Sequence, residues 1–248
     1  MCEVRAVSEK QKQEVKDLEA AEVKYGDYFY ALRDEMHNAL VHLKFYDLMQ
    51  GARNDYQVEL NEIWTFWGFT IDAHRDATIL ALSKMLEQRK KRNDSITIWK
   101  FLDFIENNLE LFDREIYLKR CRSKYGYDDI ARKIHKKLTP VNINSDRKRL
   151  EEYRRIIDNV MGWRDKKVAH NDSEFYFGNR RVSEEYPISS KQLAEIVEQL
   201  KKIFNKYSLA YDSVEYSFNV PGDDDVRLML DAIRFQGGEC ERKGFTKE

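Results

Sequence analysis

Glycine and proline are scarce in this chain: ten Gly and three Pro in 248 residues. All-β sandwiches and barrels use turn-forming residues at every hairpin, so this scarcity pushes the chain toward long helices joined by short connections. The apolar pattern agrees. Phe29, Leu32, Met36, Leu40 and Leu43 recur at three- and four-residue steps, which is one stripe of a helix. The apolar content of 42% is enough for a sizeable core, and the charged content of 35%, mostly Glu, Lys and Arg, suits the outer faces of helices. The expected class is all-α, an up-and-down helical bundle.

Along the chain, Glu9 to Lys24 is a polar lead-in helix, and Gly51 to Asp55 interrupts the stripe that follows it. Leu60, Ile63, Trp64 and Trp67 continue into Ile71, Thr78, Ala81, Leu82 and Met85, with Gly68 marking a kink or a close contact. Asp94 or Ser95 is placed to cap a helix with the stripe Ile98, Phe101, Leu102, Ile105 and Leu109. A basic helical region from Asp113 to Leu138 breaks near Gly126. Thr139 to Asn144 reads as an extended loop, with Ser145 or Asp146 capping the next helix. That helix carries Leu150, Tyr153, Ile157, Val160 and Met161 up to Trp163. Phe175 to Asn179 reads as a turn or short hairpin. Ser189 or Ser190 opens a regular helix, and Asp223 to Asp225 places negative charge at the start of a last one, where the helix dipole favours it. The expected organisation is an extension over 1–27, one helical domain over 28–215, and a short helix with a disordered tail over 216–248.

The formal net charge is −1, so any nucleic-acid contact must come from a local basic patch. Cys2, Cys121 and Cys240 are far apart and match no metal-ligand spacing, which reads as free thiols in a reducing compartment. No stretch has the length and apolarity of a signal peptide or a membrane span. A cytoplasmic protein without membrane contact is expected, with no metal and no cofactor.

The segment Arg164-Asp165-Lys166-Lys167-Val168-Ala169-His170 closes an amphipathic helix. Cleaving RNA without a metal requires a base for the ribose 2′-hydroxyl, an acid for the leaving 5′-oxygen and a cation beside the phosphate. Histidine can take either proton role near neutral pH. Arginine stays charged and grips phosphate oxygens with two parallel hydrogen bonds, and Asp165 is placed to orient either group. Six steps of an ideal helix turn through about 600°, leaving Arg164 and His170 about 120° apart, whereas Asn171 shares the face of Arg164. The two side chains therefore need a bend, a second protomer, or both. One His per chain also leaves the acid or the base unfilled, which a symmetric homodimer would supply. The plainer alternative is that Arg164 and Asp165 decorate a helix end that His170 caps.

Further candidates surround this segment. Lys166, Lys167, Asn171 and Asp172 are potential RNA contacts, as are Arg132, Lys133, Lys136 and Lys137 in a basic run from Lys119 to Arg149. Tyr117, Tyr125 and Tyr127 interleave that run and are candidates to stack on bases. His74-Arg75-Asp76 is a polar triplet in an apolar helix, either a structural hydrogen-bonded cluster or a support for the Arg164 segment. His37 and His42 lie five apart, on different faces, and do not make a helical metal pair. His135 reads as solvated among basic neighbours, and the tryptophans as core or dimer-interface anchors.

The words Trp163-Arg164-Asp165-Lys166-Lys167-Val168-Ala169-His170-Asn171-Asp172 resemble the signature of the HEPN superfamily: Arg, then Asn, Asp or His, a short spacer, and His. The Ala-His-Asn-Asp ending is similar to the abortive-infection U branch, as are Asp72 to Leu82, Ser95 to Ile98 and the order of helices. The resemblance covers roughly Tyr28 to Tyr207. It implies a HEPN-type bundle, here with extra N- and C-terminal helices, which dimerises with its motifs facing each other. It also implies a metal-independent endoribonuclease of phage defence or of a toxin system, for which an antitoxin protein is a potential partner. By position, Arg164 becomes the phosphate-binding residue, Asp165 the orienting residue and His170 the proton-transfer residue. Because some HEPN proteins are non-catalytic RNA binders or assembly modules, the alternative expectation is a helical module of that kind.

Overall fold

The computed structural model describes residues 9–88, 95–126, 129–168, 181–222 and 224–242. The fold is all-α, as expected, and no strand occurs among the described residues. The helices are α1 (Glu9–Gly51), α2 (Gln57–Glu62), α3 (Trp64–Leu86), α4 (Ile98–Asn107), α5 (Arg114–Tyr125), α6 (Asp129–Ile134), α7 (Pro140–Glu152), α8 (Arg154–Trp163), α9 (Val182–Glu185), α10 (Ser190–Asp212) and α11 (Asp225–Arg242). A 3-10 turn covers Leu109–Phe112, and a π-turn covers Arg164–Val168. None of the described helices is long and apolar enough to cross a membrane.

Several local expectations are corrected by the backbone. The lead-in is not a separate helix, because α1 runs unbroken for 43 residues. The break before α3 falls at Ile63, not at Gly68, where a Cβ would meet nothing within 4 Å. Thr97 caps α4, its hydroxyl accepting from the Lys100 N–H at 3.4 Å; Ser95 does not, and Asp94 lies outside the described residues.

The segment read as an extended loop is the first turn of α7. Thr139 is its N-cap, and Asn142 Oδ1 accepts from both the Thr139 N–H at 3.0 Å and its hydroxyl at 2.8 Å. Pro140 sits at the first helical position, where the N–H it lacks has no intrahelical partner anyway. Asp146 is therefore not a cap. It is buried in the body of α7 and receives Lys206 Nζ at 2.5 Å and the Tyr207 hydroxyl at 2.8 Å.

The chain forms two compact units. The first comprises Met1–Glu35, Lys84–Arg155 and Glu198–Ser217, and the second Met36–Ser83, Ile156–Val197 and Phe218–Glu248. In the first, Phe101 stacks on Phe204 at 6.2 Å and meets Tyr207 edge-on at 5.8 Å. In the second, Met49, Tyr56, Leu60, Trp67 and Ile71 form a core with Val226 and Leu230 of α11. Two polar ties hold α11 there: Tyr56 donates to Asp231 at 2.7 Å, and Arg234 donates to Glu59 at 2.6 Å.

Candidate functional site at the end of α8

Arg164 stands where the winding of the helix changes. The α-helix of α8 gives way at that residue to a π-turn over Arg164–Val168, whose hydrogen bonds run one residue further than in an α-helix. Rotation per residue falls in such a turn, so the step of about 100° per residue of an ideal helix does not hold from Arg164 to Val168. Ala169, His170, Asn171 and Asp172, and the expected turn at Phe175 to Asn179, lie outside the described residues.

The root of this segment is tightly held within the second unit. Trp163 is buried and donates its indole N–H to the Tyr186 carbonyl at 2.7 Å. Asn159, one turn earlier, donates to the Pro187 carbonyl at 2.6 Å. Between them Gly162 lies directly under the Tyr186 ring: a Cβ there would fall 2.1–2.4 Å from three ring atoms. No β-carbon fits at position 162, so α8 and the chain returning at Tyr186 approach closely just before Arg164.

The Arg164 side chain is 16% exposed and donates through Nε to Asp165 Oδ1 at 2.7 Å. Asp165 is thus the hydrogen-bond partner of the guanidinium Nε. Lys167 reaches Asp76 Oδ2 on α3 at 3.6 Å and lies over the Trp163 ring at 5.4 Å. Lys166 is half-buried.

The triplet His74-Arg75-Asp76 splits by helix face. The Arg75 guanidinium stacks over Trp163 at 4.8 Å and is held by Asp72 at 2.8 Å and Asp76 at 3.0 Å. Arg75 and Asp76 thus touch Trp163 and Lys167, which flank Arg164. The i, i+3, i+4 spacing of Asp72, Arg75 and Asp76 is a sequence signal that could have found this cluster. His74 turns instead to α1, where its Nδ1 lies 2.9 Å from Nδ1 of His42, with Phe45 stacked on its ring at 5.4 Å. Burial lowers the pKa of both imidazoles, and the neighbouring His42 charge lowers that of His74 further. Sequence spacing could not reveal this pair, since its members lie 32 residues apart on two helices.

The second basic group belongs to the first unit. Arg132, Lys133, Lys136 and Lys137 are exposed. Other cations of the run are engaged internally: Arg120 with Glu22, Lys124 with Asp212, and Arg147 with Asp103 and Glu106. Tyr117 is buried and unable to stack on a base, Tyr125 is partly exposed, and Tyr127 lies outside the described residues. His135 is not solvated: it is half-buried, its Nε2 lies 3.1 Å from the Phe112 carbonyl, and its ring packs on Tyr117. Trp67 and Trp163 are core residues as expected, whereas Trp64 is 71% exposed. No group of three His, Cys, Asp or Glu among the described residues is disposed to hold a metal ion.

The family described as AbiU2, of the HEPN superfamily, matches residues 22–228. The chain belongs to this family. The match includes α8, the π-turn and the whole Arg164-to-Asp172 segment, as well as most of α1 and the α3 cluster that supports Trp163. No curated protein and no solved structure matches the chain.

Proposed function

We propose that this AbiU2-family protein is an endoribonuclease of a phage-defence or toxin system, cleaving RNA without a metal at a site composed from two copies of the chain. The observation that carries this reading is Arg164: a guanidinium oriented by Asp165, on a π-turn at the end of a clamped helix, within the HEPN motif. Arg164 would bind the scissile phosphate and stabilise the charge that builds on it. In the reaction the ribose 2′-oxygen forms a bond to phosphorus and the bond from phosphorus to the 5′-oxygen breaks. One His170 takes the 2′-hydroxyl proton, and the His170 of a second copy gives a proton to the leaving oxygen. The products are a 2′,3′-cyclic phosphate and a 5′-hydroxyl. Lys166, Lys167, Asn171 and Asp172 would contact RNA around this centre, and Arg132, Lys133, Lys136 and Lys137 would add phosphate contacts.

An apolar surface for the second copy is available on α3. Phe66, Phe69, Ala73 and Leu80 fall within about 60° of one another around an ideal helix, all are exposed, and Asp76, the partner of Lys167, lies beside them.

The test is RNA cleavage by purified protein in EDTA, with Arg164→Ala and His170→Ala alongside. Each variant is expected to lose about 10²–10⁴-fold in rate. Equal cleavage by wild type and both variants refutes the site, and product ends of another kind refute the mechanism. Binding without turnover by wild type establishes the non-catalytic RNA-binding alternative.

A further inference from the structure

Lys167 stands three residues after Arg164 in the π-turn, with its side chain 39% exposed. Its ammonium lies over the Trp163 ring at 5.4 Å and 3.6 Å from Asp76 Oδ2 on α3. The second distance is too long for a hydrogen bond, so that contact is an ion pair held by charge attraction. Asp76 itself is fixed more firmly. Its Oδ1 accepts from Arg75 Nε at 3.0 Å, and Arg75 Nη2 lies 3.0 Å from the same oxygen. Arg75 in turn is held by Asp72 at 2.8 Å and stacks over Trp163 at 4.8 Å, and Trp163 is anchored on the Tyr186 carbonyl at 2.7 Å. All these residues belong to the second unit.

The two oxygens of Asp76 therefore differ in commitment. Oδ1 is bound to a guanidinium that Asp72 and Trp163 hold in place. Oδ2 faces a compact ammonium on a flexible four-carbon stem. If Lys167 leaves, Asp76 keeps its bond to Arg75, so no carboxylate is stranded without a partner. A partly exposed ion pair without a hydrogen bond contributes little to stability. A phosphate oxygen that accepts a short, charge-assisted hydrogen bond from the same ammonium contributes more. The balance favours transfer of Lys167 from Asp76 to a phosphate brought near Arg164.

We propose, on the reading of the Arg164 segment as an RNA site, that Asp76 stands in for an RNA phosphate: it holds the Lys167 ammonium in the free protein and yields it to a phosphate of the bound RNA. Asp76 then sets RNA affinity and its salt dependence without touching the reacting atoms. A lysine free in solution releases counterions from RNA when it meets a phosphate, and binding weakens steeply with salt as a result. Exchange is different. The Asp72, Arg75 and Asp76 cluster that Lys167 leaves carries a net negative charge and takes up a cation, which offsets that release. Lys167 therefore adds little to the salt dependence of the wild-type chain, and it adds fully once the Asp76 charge is removed.

The test is fluorescence anisotropy of a labelled 2′-O-methyl RNA oligonucleotide with the full chain, from about 50 to about 200 mM salt. This RNA lacks the attacking hydroxyl, so binding is read apart from cleavage. Asp76→Asn keeps an oxygen that accepts from Arg75 and removes the charge. It should tighten binding about two- to fivefold and steepen the slope of log K against log salt by about 0.7, the value for one lysine on a single strand. With Lys167→Gln in place, Asp76→Asn should change neither affinity nor slope. If Asp76→Asn does not fold, Lys167→Gln decides alone: exchange predicts a slope near that of wild type, whereas a free lysine predicts a loss of about 0.7. Unchanged or weaker binding by Asp76→Asn overturns the proposal, as does an equal gain in the Lys167→Gln background, which is plain charge repulsion. Binding that falls in Arg164→Ala but ignores Asp76→Asn retains the RNA site and overturns the exchange alone. No binding by wild type overturns both.

Discussion

Substituting Gly162 by alanine sets two effects of known size against each other. Alanine is better than glycine in a helix interior by about 1 kcal/mol, and Gly162 is next to the last residue of α8, where that gain is smaller. Against it, the new Cβ would fall 2.1 Å from Tyr186 Cδ1 and 2.4 Å from Cγ and Cε1. Cγ lies close to the backbone and cannot swing away as the tip of a flexible side chain would, so the Tyr186 backbone must shift as well. Overpacking of this kind costs about 1–3 kcal/mol. The shift also strains the hydrogen bond from Trp163 to the Tyr186 carbonyl, a bond worth about 0.5–1.5 kcal/mol. The clash wins, and a net loss of about 1–3 kcal/mol is expected. For a chain of this size that lowers Tm by roughly 2–12 °C. Gly68→Ala is the internal control, because its Cβ meets nothing within 4 Å and Tm should rise by up to about 4 °C. Thermal and urea unfolding followed by circular dichroism read both. A double-mutant cycle with Tyr186→Leu isolates the contact, since removing the ring should make Gly162→Ala much less costly. Gly162→Ala at or above the wild-type Tm, or a cycle with no coupling, would refute the reasoning.

The His42–His74 pair makes stability depend on pH with a definite sign. Both imidazoles have pKa values lowered in the folded state, so the unfolded chain binds more protons in that range and stability rises with pH. Their contribution should be complete above the unfolded value of about 6.5 and lost as pH falls from there to the folded pKa values. Urea midpoints from pH 5 to 8 should show a shallower slope in His42→Gln/His74→Asn than in wild type, and an unchanged slope would exclude the pair. On α3, Phe69 is 73% exposed in the proposed contact face, so Phe69→Ser should leave the helical content by circular dichroism unchanged while it weakens association. If that face joins two copies, sedimentation should show a lighter species and RNA cleavage should fall in parallel. Retention of a dimer by Phe69→Ser places the contact elsewhere.

The helical class was legible in the sequence because it depends on local properties, the scarcity of turn residues and apolar spacing near 3.6 residues per turn. So were the residues of the Arg164 motif, and the contact of Asp165 with Arg164 joins adjacent residues and needs no tertiary fold to reach it. Even some errors were local. Thr139-Pro140 with Asn142 three residues after the cap carries the signature of a helix start, although Thr139 to Asn144 also reads as an extended loop. What the sequence by itself determined is therefore the helical class and the residue types of the motif. Only tertiary structure decided which side chains meet across helices: Arg75 over Trp163, Lys167 on Asp76, His42 against His74, and the Tyr186 ring on Gly162. Tertiary structure also buried Asp146 against Lys206 and Tyr207. The physical reason is range. Helix propensity and capping act over about four residues, whereas these contacts join residues far apart in the chain whose positions are set by how helices pack.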